Sequence, residues 1–302
     1  MQTSGLPDYL TTEEAALYLR LSERKLYELV ANGAVPCSKV TGKWLFPRVA
    51  LDRWIASGLA SPEGLQLAAP APIIGGSHDP LLEWVVRRAD CGLALLSEGS
   101  LSGLDRLERD EVAMAAIHLH AGPDDADDAD ANVVGLRARS RLADAVLIGF
   151  ARREQGLMVA PGNPLALESL ADAVARRARF GLRQPGAGAR MLLDRLLAAG
   201  RLDAASLAAH PRPHPTGQDL AVAIRAGELD CGIATRAVAQ SQGLGFVPLA
   251  WERFDLAMRR RTAFEPAAQA LFARMREGEF VRQAQAFGGY DVSGAGTVRL
   301  NR

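Results

Sequence analysis

A chain of 302 residues, 48% hydrophobic and 23% charged, is long enough for two or three domains with sizeable cores. Its 35 basic and 35 acidic side chains cancel, which excludes a coat of positive charge and confines any nucleic-acid contact to a local patch. Cys37, Cys91 and Cys231 are widely spaced, with neither CxxC pairing nor metal spacing, as expected of reduced thiols. The N-terminus shows no basic stretch followed by an apolar one, and no apolar run nears the roughly 20 residues of a bilayer span. A cytoplasmic protein without membrane contact is expected.

Taken in chain order, Thr11-Thr12-Glu13-Glu14 opens a first helix, with Thr11 as cap and Glu14 reaching back in a capping box. Ala15, Ala16 and Leu19 give that helix its apolar face. After Leu21, Ser22 is placed to cap a second helix running to about Asn32, with Gly33 to stop it. Leu26, Leu29 and Val30 recur on the core face; Arg24, Lys25 and Glu28 lie on other faces, and Tyr27 fits either. Two short helices with a tight turn form a helix-turn-helix unit, whose second helix enters the major groove by its N-terminal end. Cys37 to Phe46 alternates around Thr41-Gly42 and predicts a β-hairpin wing, and a third helix over about 48–56 closes the unit with Leu51, Trp54 and Ile55. From Glu23 to Arg48 five basic residues (Arg24, Lys25, Lys39, Lys43, Arg48) face two acidic ones, a net +3 in a neutral chain. Ser22, Tyr27 and these five cations are the candidate DNA contacts; Trp44 and Trp54 are expected in the core.

The run from Tyr9-Leu-Thr-Thr-Glu-Glu-Ala-Ala through Ser22–Tyr27 and Gly33–Pro36 to Gly-Lys-Trp-Leu-Phe46 and Leu-Asp-Arg-Trp54 resembles the excisionase-like, MerR-related winged helix-turn-helix family. The resemblance implies a small helical DNA-binding domain over 1–57. Residues 58–71, rich in Pro, Ala and Gly, are expected to be a linker.

Beyond the linker, short apolar runs alternate with helical patterns: 73–75, helix 79–89, 91–95, helix 102–109, 112–117, then 147–151, 157–159, helix 167–177, 180–182, helices 189–199 and 217–226, 231–234, helix 235–242 and 246–249. Repetition of this kind implies an α/β domain with mostly parallel strands and helices on both faces. Candidate crossing strands near 146–160 and 249–259 would join two lobes, one of about 72–148 with 254–302, the other about 149–253. Ligands of such folds sit at the carboxyl ends of strands, against helix N-termini. The junctions there bring Ser77 and His78 after the first strand, Ser100 and Ser102 after the second, and His118 and His120 after the third. In the other lobe Gln184-Pro-Gly186-Ala-Gly188-Ala-Arg190 opens one helix and Thr216-Gly-Gln-Asp219 another. Of these, Ser77, His78, Ser100, Ser102, His118, Gln184, Gly186, Gly188, Arg190, Thr216 and Asp219 are the candidate ligand contacts.

Gly-Ser-His-Asp79, Gly-Ser-Leu-Ser-Gly-Leu104, Ile-His-Leu119, Glu-Gln-Gly-Leu157, Ala-Pro-Gly-Asn-Pro164, Arg-Gln-Pro-Gly-Ala-Gly-Ala-Arg190, Gly-Glu-Leu-Asp-Cys-Gly232 and Phe-Val-Pro-Leu249 resemble a cytoplasmic branch of periplasmic-binding-protein-like domains, related to molybdate- and tungstate-binding proteins. The match runs from about Ile73 to Asp291. It implies a sensor of molybdate, tungstate or a molybdenum-cofactor-related effector, with no tightly bound cofactor. Gly186-Ala-Gly-Ala-Arg190 departs from the branch's usual Gly-Ser-Gly-Thr-Arg, losing two hydroxyls and thinning the donor set for a tetrahedral oxyanion.

Other features carry less. Asp124, Asp125, Asp127, Asp128 and Asp130 lack the glycine and terminal glutamate of a calcium loop. His118 and His120 share a strand face but lack third and fourth metal ligands, and His210 and His214 carry no metal spacing. Arg259-Arg-Arg261 fits a solvated strand end. No nucleophile–base constellation and no phosphate loop is visible, so no enzyme is expected. The expected whole is a ligand-responsive transcriptional regulator that binds double-stranded DNA as a homodimer, because one small module buries too little surface for useful specificity. Two alternatives stand beside it: an architectural, excisionase-like DNA-binding protein with an oligomerisation domain, and a molybdenum-cofactor carrier or biosynthesis-associated protein.

Overall fold

The computed structural model describes residues 7–39, 42–57, 69–120 and 130–302. Thr41 of the expected hairpin turn, most of the linker, and Asp124, Asp125, Asp127 and Asp128 lie outside the described residues. The chain divides into two compact units, Met1–Ala68 and Ala69–Arg302.

The first unit contains β1 (Tyr9–Leu10), α1 (Thr12–Leu19), α2 (Glu23–Ala31), β2 (Phe46–Pro47) and α3 (Arg48–Ser57). The capping box forms: the Thr11 hydroxyl accepts from the Glu14 amide, and the Glu14 carboxylate accepts from the Thr11 amide. Arg20 ends α1 in the left-handed region, turning the chain so that Ser22 caps α2 through the Lys25 amide. Leu10, Ala15, Ala16, Leu26, Val35, Phe46 and Leu51 form the core, with Trp44 and Trp54 packed on it. The expected wing differs in detail. Among the described residues only Ser38 and Leu45 bridge across it, because Phe46 and Pro47 pair instead with Leu10 and Tyr9, drawing Phe46 into the core.

The second unit runs β3 (Ile73–Gly76), α4 (Pro80–Ala89), β4 (Ala94–Ser97), α5 (Ser100–Glu108), β5 (Met114–Ile117), α6 (Ala131–Arg137), β6 (Ala145–Val159), α7 (Leu170–Ala175), β7 (Phe180–Gly181), α8 (Gly188–Ala199), α9 (Gly217–Arg225), β8 (Cys231–Thr235), α10 (Arg236–Ser241), β9 (Gly245–Arg259), α11 (Pro266–Met275), α12 (Gly278–Phe287), β10 (Tyr290–Asp291) and β11 (Val298–Asn301). One sheet connects all nine strands in the order β4-β3-β5-β9-β6-β8-β7, with β10 and β11 also on β6. Parallel pairing is confined to β3–β4, β3–β5 and β7–β8; the centre is antiparallel. The expectation of mostly parallel strands therefore holds only at the two ends of the sheet.

The centre is the pair of 15-residue strands β6 and β9, matched from Ala145–Arg259 to Val159–Gly245. Both pass through both lobes. Register shifts at Gly149/Ala151 and Gln155/Gly156 bend the pair at bulges. The apolar runs 147–151 and 157–159 thus belong to one strand whose polar middle, Arg152 to Gln155, separates two buried halves. Each lobe buries both faces of its part of the sheet. In the first lobe, Leu81, Leu271 and Phe280 cover one face, and Leu104, Leu107 and Leu136 the other. In the second lobe, Leu170 and Leu192 oppose Leu220 and Val238.

Close approach of α5 to β3 sets the cleft side of the first lobe. A Cβ on Gly103 would lie 2.5 Å from the Gly76 Cα and 2.8 Å from its N, backbone that cannot swing aside. Gly103→Ala is therefore expected to destabilise the protein by about 1–3 kcal/mol, read as a lower denaturation midpoint; an unchanged midpoint would contradict the packing.

Candidate functional site

Strand alternation builds the site. Along β6, Arg153 and Gln155 point to one face while Arg152 and Glu154 point to the other; on β9, Glu252 lies directly across from Arg153. Arg153 is 1% exposed. Its Nε donates to Glu252 Oε1 at 2.6 Å and its Nη1 to Asp79 Oδ2 at 2.9 Å. Its Nη2 lies 2.7 Å from His118 Nδ1. Glu252 also accepts from Gln155 Nε2 at 2.9 Å, and its Oε2 lies 3.0 Å from His120 Nε2. Burial by itself would raise the Glu252 carboxyl, but the Arg153 charge and the His120 hydrogen bond beside it outweigh burial and hold it well below the usual range. Asp79 is doubly employed. Its Oδ1 caps α4 through the Leu81 and Leu82 amides, and its Oδ2 also accepts from the Tyr290 hydroxyl.

Around this network lies the cleft between the lobes. From the first lobe and β6 it is lined by Ser77, His78, His118, Arg153 and Gln155; from the second by Arg183, Ala189, Gly217, Ala234, Thr235 and Val238. About 20 Å³ of free space remains, room for a water-sized group. The lobes touch across it: the Leu101 amide donates to the Gly186 carbonyl at 3.3 Å and Gln184 Nε2 to the Glu98 carbonyl at 3.4 Å. A Cβ on Gly188 would come within 2.2 Å of both the ring and the carbonyl oxygen of His118.

Arg183 is the chemically exposed member. Its Nε and Nη2 donate to the carbonyls of His214 and Pro215, at 3.0 and 2.8 Å, and among the described residues no carboxylate pairs with it. Burial, with Arg153 nearby, pushes its guanidinium down to about 10. It stays cationic at neutral pH, and Asp219 offsets its charge only from a distance, so an incoming anion is attracted to it. Ala189 and Gly217 bring the first turns of α8 and α9 to the same space, and α8 has no side-chain cap. The chemistry offered is recognition of a small anion by one cation, helix-start amides and hydroxyls.

Ser77, His78 and His118 of the expected contacts line this cleft, and Ser100 stands behind Ser77, their hydroxyls 2.9 Å apart. Gln184, Gly186 and Gly188 form the seam between the lobes. The others differ from expectation. Arg190 is turned along its own helix onto Asp194 at 3.0 Å, one helical turn away. Thr216 and Asp219 satisfy each other in a capping box, and Ser102 lies on α5 outside the lining. The sequence reading missed Arg153, Gln155, Arg183 and Glu252. The available signal was a polar stretch, Arg-Arg-Glu-Gln155, interrupting apolar strand on both sides, and an arginine at the carboxyl end of a strand.

In the first unit Ser22, Arg24, Lys25 and Tyr27 are exposed along the first turns of α2, as are Lys39 and Lys43. Lys25 pairs with Glu28 at 2.8 Å, Lys39 lies over the Trp44 ring, and Arg48, at the start of α3, approaches Asp8 at 3.7 Å. No helix of the described residues is long and apolar enough to cross a membrane.

Residues 9–58 match a helix-turn-helix domain family, and residues 84–276 match the PBP superfamily domain, to which this chain belongs. The chain is 22% identical over 305 residues to the uncharacterized protein YvgK of Bacillus subtilis (strain 168), across 96% of this chain and 97% of that one. Among solved structures it is similar to the hydrogen-peroxide-bound C206S mutant of Corynebacterium glutamicum OxyR. That likeness has a TM-score of 0.51 at 14% identity and covers 91% of this chain and 90% of that one; it is a likeness of fold.

Two arginines in one cleft should behave oppositely. Arg153→Met leaves Glu252 and Asp79 without their cation and is expected to cost about 3–5 kcal/mol. Arg183→Met removes a cation with no carboxylate partner and should leave the unliganded midpoint unchanged or raised. Chemical denaturation of both variants checks this, and equal losses would contradict it. A second prediction concerns pH. Burial pushes the His118 imidazole well below its usual range, with Arg153 adding to the effect against the pull of Glu252. The folded state therefore keeps His118 neutral while the unfolded chain takes up a proton below about pH 6.5. Its contribution is complete above that pH and is lost as pH falls toward 5. His214, also lowered by burial, acts with the same sign, so the readout is the difference between parent and His118→Gln. The variant's midpoint should fall less steeply from pH 7 to 5, and identical slopes would contradict the assignment.

Proposed function

We propose that the protein is a one-component transcriptional regulator whose DNA occupancy responds to a small anion held in the interlobe cleft. The carrying observation is Arg183, a half-buried cation without a carboxylate partner among the described residues, facing a cleft lined by hydroxyls and helix-start amides. Molybdate, tungstate or a related molybdenum-cofactor metabolite is the effector that the sequence resemblance suggests, and no catalytic role is assigned. With only about 20 Å³ free, an anion enters only if the lobes part, so binding and lobe movement are coupled. Such coupling reaches DNA only through differential affinity: a ligand must favour one lobe arrangement by several kcal/mol to shift occupancy appreciably. A homodimer on a repeated site supplies the specificity that one small module lacks.

The test is selection of duplexes from a random pool by the full chain, followed by affinity measurements on the winner with and without molybdate, tungstate, sulfate and phosphate. A defined sequence and an affinity change of at least about fivefold with one anion, absent in Arg183→Met, is the expected result. DNA binding indifferent to every anion would favour the architectural alternative and overturn the proposal.

A further inference from the structure

The cleft holds two buried polar atoms without a hydrogen bond, one of them, His118 Nε2, 4.0 Å from Glu252 Oε1. Gln155 is 2% exposed and His118 4%, both line the cavity, and Gln155 Oε1 and His118 Nε2 have no hydrogen-bond partner. Their chemical roles are fixed by what their other atoms touch. Gln155 Nε2 donates to the Glu252 carboxylate at 2.9 Å. Exchanging the amide's nitrogen and oxygen would set an oxygen against that carboxylate, so Oε1 is the free atom, and it can only accept. His118 Nδ1 faces Arg153 Nη2 at 2.7 Å, and a guanidinium only donates. Nδ1 is therefore the acceptor, and the proton of the neutral ring sits on Nε2, which can only donate. Arg183 supplies positive charge to the same space.

A ligand complementary to these groups has anionic oxygens for Arg183 and the His118 N–H, and one donor for Gln155. We propose that the cleft selects anions that carry an O–H of their own, the chemistry shared by hydrogen phosphate and 2-hydroxy carboxylates, over fully deprotonated tetraoxyanions. Molybdate, tungstate and sulfate bring acceptors alone. Bound here, they leave the Gln155 oxygen stripped of water and facing another lone pair, with the ionised Glu252 directly behind it. A buried acceptor without a donor weakens binding on the order of 10- to 100-fold. This inference rests on reading the cleft as an anion site; it keeps that reading and sets anions that keep a proton in place of molybdate and tungstate, the effectors the sequence resemblance suggests.

Calorimetric titration of the full chain at pH 7 tests it, using phosphate, lactate, propionate, sulfate, molybdate and tungstate. Phosphate, or lactate in preference to propionate, should bind at least tenfold more tightly than sulfate, molybdate and tungstate. Phosphate binding without lactate binding identifies the inorganic ion, and the reverse identifies a hydroxy acid; either supports the proposal. Gln155→Leu should narrow the gap between the two classes to within about threefold, while the parent's own selectivity decides the matter if that variant fails to fold. Sulfate, molybdate or tungstate binding as tightly as the hydroxyl-bearing anions overturns the inference and leaves the anion-sensor reading standing. If none of the six binds, both fall.

Discussion

Arg153 sits in the middle of β6, one of the two long central strands, almost out of reach of water, with Glu252 across the ladder and Asp79 at the start of α4. Desolvating a guanidinium is costly, and only this pair of carboxylates and their further hydrogen bonds offset it. Much else follows from that requirement. Asp79 must cap α4 in a fixed rotamer, Tyr290 of the final segment is tied to the same oxygen, and His118 is held in one tautomer. Residues from five distant parts of the sequence are thereby fixed at the point where β6 and β9 pass from one lobe to the other.

The network explains why the neighbouring arginine is different. Glu252 and Asp79 are committed to Arg153, and Arg183 is left with carbonyls of its own lobe. A half-buried cation paired only with carbonyls contributes little to stability in the unliganded fold. The first lobe contributes little helix-dipole attraction at α4, because Asp79 already occupies its amides. The second lobe, through Arg183, Ala189 and Gly217, supplies most of the positive potential, and the first supplies His118, Ser77 and the shape.

Glycines at the seam make the closed arrangement possible. Gly188 meets His118 at a distance that admits no side chain, and Gly99, at φ +98°, approaches the Gly186 carbonyl and Ala187. Gly186 and Gly188 read in the sequence as candidate ligand contacts at a helix start. In the structure they serve lobe-to-lobe contact, because their backbone approaches protein. The small first unit has a core of its own around Leu26, Phe46 and Leu51.

Several features were legible in the sequence: the two-part organisation, the capping box at Thr11, the helix-turn-helix, the βα repetition and the crossing strands. All depend on interactions within about four residues or on short-range apolar periodicity, which a linear reading contains. The glycine- and serine-rich junctions also pointed to the cleft, and Ser77, His78 and His118 line it. What remained hidden depended on partners far apart in the chain. Nothing near Arg190 says that Asp194 will hold it, since any i,i+4 acid is only one option among several. Nothing near Arg153 says that Glu252, ninety-nine residues later, will face it across a ladder. The sequence by itself determined the elements and the class of protein; which cation is neutralised, which is left for a ligand, and which face of β6 meets the cleft were decided by tertiary register, because a charge's role depends on what folding places beside it.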